Sequence, residues 1–219
     1  MVTLYGVVRS RASRPLWILK EIGMDFVHQP VIQANRLPNA KAAGAPMNTA
    51  SPDYLKINPQ GQVPCLVDGD LVLTESLGIV LYLAQKYGGA LGPQDLAEEA
   101  LMVQWALHAA TGIEGPALEI MFVARDGGAA TPEGQAAIAV AAEKLRRPLR
   151  RLDAHLAEHD WLVGDRFTAA DVNTTECLRY AAAHPTLLAE FPRLKAWYDR
   201  AQARPAFKAM WAMRMAEPE

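Results

Sequence analysis

The chain has 219 residues, 51% of them hydrophobic, and a formal charge of −2, enough apolar material for one large core or two smaller ones. So even a charge balance excludes the basic footprint that phosphate backbones require, and no run of Lys and Arg is interleaved with aromatics. The two cysteines, Cys65 and Cys177, stand outside any C-x-x-C spacing, which excludes a disulfide framework and a zinc signature, and Cys65 is read as an inert core residue.

In chain order, Val2-Thr3-Leu4-Tyr5-Gly6-Val7 reads as a buried strand, Arg14 to Ile22 as a helix stopped by Gly23, and Phe26 to Val31 as a second strand, a β-α-β opening. The chain enters that first strand at once, with no room for a signal peptide, and no apolar stretch approaches membrane-spanning length, so a cytoplasmic protein without a membrane partner is expected. Between strand and helix lies Arg9-Ser10-Arg11-Ala12-Ser13-Arg14, whose serines are by default helix caps and whose arginines give the turn a positive field. Residues 35–52 form a long segment rich in Pro, Asn and Ala, either a functional loop or a tolerated surface insertion.

The stretch from Asn58 to Ser76 is the most informative. Asp68-Gly69 between the apolar runs Val63–Val67 and Leu71–Leu73 predicts a tight hairpin. Pro64 has no N–H for a ladder and belongs at the mouth of the strand, which leaves the backbone of Val63 open to a ligand that pairs like an extra strand. From Leu73 the period becomes helical, with Leu77, Val80, Leu81 and Ala84 on one face and Gly88 as the stop, so Thr74, Glu75 and Ser76 stand at a helix N-terminus. Free N–H groups there attract a carboxylate and Glu75 suits an ammonium, the two charges of an α-amino acid end group.

On these residues, Asn58 through Leu83, the chain resembles the glutathione transferases and their "NPxGxVPxL … LTES" signature. The resemblance implies an α/β thioredoxin-like domain over residues 1–87, a linker over 88–94 and an all-α bundle over 95–219. Glutathione would be the co-substrate. Val63 would hold its cysteinyl part beside a cis Pro64, Glu75 and Ser76 its γ-glutamyl end, and Gln62 its glycyl end. The first turn carries the group that acts on the glutathione sulfur in this family. Ser10 is the choice here, as in bacterial cytosolic serine-type members, with Ser13 as runner-up and cap, and Arg11 nearby. Arg36, Lys41 or Asn48 of the long segment would close toward the glycyl carboxylate.

The second half reads as helices over residues 95–124, 132–159, 169–183 and 192–203 and from Pro205 onward. Gly112, Gly115 and Pro116 predict a kink or break in the first of these. The family bends this helix beside the second substrate, which places His108, Thr111, Gly112 and Ile113, with Trp105 and Phe122 nearby, in a hydrophobic acceptor pocket. Thr168 and Asp171 make a capping box, so Asp171 is read as structural. His155 and His159 share a helical face but lack a third ligand, and no metal is expected. The resemblance implies a homodimer that adds glutathione to a small hydrophobic electrophile. The alternative is a non-catalytic glutathione- or partner-binding protein of the same fold.

Overall fold

The computed structural model describes residues 1–218; position 219, the last of the expected helical domain, lies outside the described residues. The elements run β1 (Thr3–Tyr5), α1 (Ser13–Ile22), β2 (Val27–Gln29), α2 (Pro52–Ile57), β3 (Cys65–Asp68), β4 (Leu71–Leu73) and α3 (Ser76–Tyr87). Then follow α4 (Leu96–His108), α5 (Gly115–Arg125), α6 (Pro132–His155), α7 (Ala169–Leu178), α8 (Pro192–Gln202) and α9 (Pro205–Ala216). They divide into two compact units, one of Met1–Gly88 with the chain from Pro205 onward, the other Gly89–Arg204.

The first unit is a four-stranded sheet in the order β2-β1-β3-β4, with β1 parallel to β2 and antiparallel to β3. Leu4, Cys65 and Leu66 are buried on it, and α1 is buried from Ser13 to Leu19. Asp68 pairs with Leu71, so the tight turn is Gly69-Asp70, one residue later than the sequence pattern suggests. The Asp68 side chain is thereby freed to accept from Tyr82, Lys86 and Tyr87 at 2.7, 2.8 and 2.6 Å. These bonds, that from Lys86 foremost, hold its pKa down at about 2. The buried face of α3 is Ser76, Ile79, Val80, Leu83 and Ala84 rather than the expected Leu77, Val80, Leu81 and Ala84. Arg14 draws Ser76 inward and rotates the helix so that Leu77 and Leu81 stay half-exposed.

The last helix corrects the expected grouping. α9 packs against α1 in the amino-terminal unit, with the rings of Trp17 and Phe207 edge to face at 4.8 Å. In the helical unit α7 is buried along its whole length. The Thr168–Asp171 capping box forms, and Asp171 also accepts from the Trp197 indole at 2.8 Å and the Leu162 N–H at 3.1 Å. The expected break at Gly112 takes the form of a π-helical stretch over Ala109–Glu114 that carries α4 into α5 without a loop. One residue is absorbed into a wider turn.

Candidate active site

Tyr5 at the end of β1 lies opposite Gln29 at the end of β2 and Cys65 at the start of β3. The segments 6–12, 30–36 and 61–64 therefore meet at the same end of the sheet. They enclose a cavity of about 350 Å³ lined by Ser10, Arg11, Gln33, Asn35, Thr49, Gly61, Gln62 and Val63. Four residues singled out from the sequence, Ser10, Arg11, Gln62 and Val63, thus share one site. Two glycines make the approach possible. A Cβ on Gly6, at φ 137°, would stand 3.0 Å from the Ala12 Cβ and 3.2 Å from that of Val63, and one on Gly61 would sit 2.6 Å from the Thr49 carbonyl oxygen.

The Ser10 hydroxyl donates to the Val7 carbonyl at 2.6 Å and accepts from the Ala12 N–H at 3.0 Å. It closes the turn and remains partly exposed toward the cavity. Ser13 is not the cap expected of it: Ala12 holds the N-cap position of α1, and Ser13 is a fully buried first-turn residue. Val63 lies outside the β3 ladder, which starts at Cys65, and the Val63–Pro64 bond is cis. The Gln62 carbonyl is tied down by Tyr54 Oη and by Asn58 Nδ2, the latter at 2.8 Å, so the segment offering Val63 is held from beneath. Burial pushes the Cys65 thiol up to about 11, leaving it protonated and inert.

Pro64, Glu75 and Ser76 are not among the residues lining this cavity. Ser76 is buried and its hydroxyl accepts from Arg14 Nη1 at 2.9 Å, while Glu75 is exposed with φ 65°. The Asn48 amide, expected to turn toward a carboxylate, is spent on the chain itself. Asn48 is fully buried, with its amide donating to the Ala40 and Pro46 carbonyls at 2.9 Å each, and it holds the long segment together from within. Sequence reasoning missed Gln33, Asn35, Thr49 and Gly61. Their signal was positional, since a loop following a strand at the end of the sheet that holds Val63 must face the same opening.

In the helical unit, His108, Thr111 and Gly112 line a groove of about 480 Å³ with Pro116, Lys144, Arg147, Pro148 and Arg151. Ile113 is fully buried and does not reach it, because the π turn rotates Ile113 into the core. Three cations and an imidazole stand around this groove, the Arg151 guanidinium lying 4.9 Å from the Trp105 ring. Burial, with the Arg151 charge, lowers the His108 pKa.

Two family-wide sequence models match, the amino-terminal domain of glutathione S-transferases over residues 1–85 and the carboxy-terminal domain over residues 102–205. The chain belongs to the glutathione S-transferase family. Among its relatives in that family is glutathione S-transferase 3 of Zea mays, 35% identical over 94% of this chain and 90% of the other. Glutathione transferase F7 of Populus trichocarpa superposes with a TM-score of 0.79 at 30% identity, covering 98% of this chain and 99% of that one. A theta-class glutathione S-transferase from Xanthomonas axonopodis pv. citri, solved with glutathione bound, gives a TM-score of 0.74 at 35% identity over 95% of each chain. The fold described above, a thioredoxin-like α/β domain and a helical domain, is that of the glutathione S-transferases.

Proposed function

We propose that the chain is a serine-type glutathione transferase in which Ser10 stabilises the glutathione thiolate for attack on an electrophilic carbon. One observation carries the residue assignment: Ser10 and Val63, whose backbone lies outside the β3 ladder, line the same cavity. A peptide paired with Val63 presents its cysteinyl side chain to the neighbouring turn, where Ser10 is the hydroxyl at the cavity wall. A thiol titrates near ~8.5 when free. Lowering it by ~2 units takes about 2.7 kcal/mol, of the order supplied by one hydrogen bond to a charge and a nearby helix N-terminus. The hydroxyl has a single proton, now turned to Val7, so sulfur binding requires it to rotate while the Ala12 N–H keeps its hold on the oxygen. Glu75 and Ser76, with the first turn of α3, would take the γ-glutamyl end, and Arg11 and Gln62 the rest of the tripeptide.

Family membership supports a cytoplasmic homodimer. Leu71 and Val72 on the edge strand β4, which are 40% and 45% exposed, and Leu101 and Leu107 on α4 support the association of two copies. The bacterial, serine-type character is part of this proposal, drawn from the Ser10 turn together with Gln62 and the Thr111–Glu114 stretch, whereas the Zea mays relative is from a plant. The test is the ultraviolet absorbance of bound glutathione thiolate in the wild type and in Ser10→Ala across neutral pH, with binding followed by calorimetry. Loss of the thiolate with affinity kept within about threefold is the expected result. Thiolate retained in Ser10→Ala would remove the serine from the chemistry, and binding without thiolate in either protein would favour a non-catalytic glutathione-binding module.

A further inference from the structure

The turn that carries Ser10 is gripped by the far end of the same chain. The backbone N–H groups of Val8 and Arg9 donate to the two carboxylate oxygens of Glu217, at 2.7 and 2.8 Å. Arg9 Nε donates to the Glu217 carbonyl at 2.9 Å, and Arg214 Nη1 donates to the Val8 carbonyl at 2.7 Å. Four bonds therefore join residues 8–9 to residues 214–217, all inside the amino-terminal unit. The base of the grip is firm, since Phe207 packs edge-on to Trp17 and stacks on Trp211 at 5.7 Å. A carboxylate that takes two consecutive N–H groups fixes the planes of both peptides, here Val7–Val8 and Val8–Arg9. The first of these peptides carries the Val7 carbonyl, which accepts from the Ser10 hydroxyl.

We propose that Glu217 is a positioning residue for the glutathione transferase reaction, its carboxylate clamping the Val7–Val8 and Val8–Arg9 peptides so that the Ser10 hydroxyl is presented to the glutathione sulfur. This rests on the Ser10 reading above and deepens it. The clamp touches no substrate. It holds the turn on which the hydroxyl stands, and it does so from a residue 207 positions further along the chain than Ser10. Its effect has a definite sign. A carboxylate acting only as a nearby negative charge would disfavour the thiolate, so its neutralisation would lower the pKa of the bound thiol. A carboxylate acting as a clamp does the opposite: when it is weakened the hydroxyl wanders and the thiol pKa rises.

The experiment is a pH titration of bound-glutathione thiolate absorbance in the full-length wild type, Glu217→Gln, a chain ending at Ala216, and Ser10→Ala, with glutathione affinity and melting temperature measured for each. The expected result is an upward shift of the thiolate midpoint by half a unit or more in Glu217→Gln, and a larger one in the shortened chain. Glutathione affinity should stay within threefold and the melting temperature within a few degrees. A midpoint that stays put or moves down in both, while Ser10→Ala abolishes the thiolate, overturns the clamp and leaves the Ser10 assignment standing. Thiolate retained in Ser10→Ala overturns that assignment, and the clamp on Ser10 with it. Full-length Glu217→Gln keeps the tail, so a shortened chain that folded poorly would still leave the proposal decided by the point variant.

Discussion

Glu75 has a positive φ, with backbone angles of 65° and 103°, and is the one such residue other than glycine among the described residues. A side chain held there costs about 1–3 kcal/mol, and such a conformation persists at a position whose side chain is needed in place. Glu75→Gly removes the strain, offset by the ~0.5–1 kcal/mol of extra freedom that glycine brings to the unfolded chain. The net expectation is a protein more stable by about 1 kcal/mol, roughly 2–4 °C in Tm for a chain of this size. Glutathione affinity should fall about tenfold or more, as expected for a lost hydrogen bond to an ammonium. Thermal melts and calorimetry read both; affinity unchanged in Glu75→Gly would take Glu75 out of the site. At this scale the sequence pointed to Ser10 and to the backbone left open by Pro64 as candidates, and the structure brings Ser10 and Val63 to one cavity. The sequence concealed Glu217, because a carboxylate near a chain end carries no local pattern that says which amides it will meet. It also misled on Asn48, whose amide is spent on the Ala40 and Pro46 carbonyls.

Helices α1, α3 and α6 to α9 were legible from apolar periodicity together with Gly, Pro and Thr at their ends, which act within a few residues of the element they define. The π-helical passage from α4 to α5 was not, since glycines at 112 and 115 signal a weak point without saying whether the chain breaks or widens its turn. A Cβ on Gly112 would meet the Pro148 Cβ at 3.5 Å and its Cγ at 3.9 Å, ordinary contact distances, so a small side chain fits there. The start of α7 shows an element whose cap also carries a titration. Asp171 is fully buried, and burial pushes its pKa up to about 6, while bonds from Trp197, Leu162 and Thr168 pull it back. A folded-state pKa above the unfolded value of ~3.9 means the folded form holds the proton more tightly. The associated stability is complete below about pH 4 and is lost as pH rises to about 6, a change of roughly 3 kcal/mol. Asp171→Asn cannot titrate, and it turns an amide NH2 toward N–H donors, so it should be less stable throughout. Its deficit relative to the wild type should shrink between pH 4 and pH 6 in denaturant titrations. A deficit that is constant or grows over that range would mean that the donors hold the carboxylate ionised despite its burial.

The amino-terminal unit is closed by both ends of the chain: it runs to Gly88, the second unit intervenes, and the chain returns at Pro205 to lay α9 against α1. This grouping could not be read from sequence order, because the periodicity of α9 shows that it has an apolar face and not which surface the face will cover. Its consequence is that a helix nearly two hundred residues from Ser10 supports the glutathione-binding half. Trp17 is fully buried and Phe207 is 6% exposed, their rings in edge-to-face contact, so Phe207 walls off the core of α1. Phe207→Ala should cost about 3–5 kcal/mol by the removal of a buried aromatic ring, a large part of the ~5–15 kcal/mol that holds a typical domain. The loss should fall on the glutathione-binding unit: weaker glutathione binding near the lowered melting temperature, and recovery at low temperature where that unit refolds. Lys208→Ala on the exposed side of the same helix should stay within about 0.5 kcal/mol of the wild type. Denaturant unfolding followed by calorimetric glutathione binding compares the two. Equal small effects from both substitutions would show that α9 lies on the unit without supporting it, and the amino-terminal half would then have to fold and bind glutathione as an uninterrupted stretch of chain.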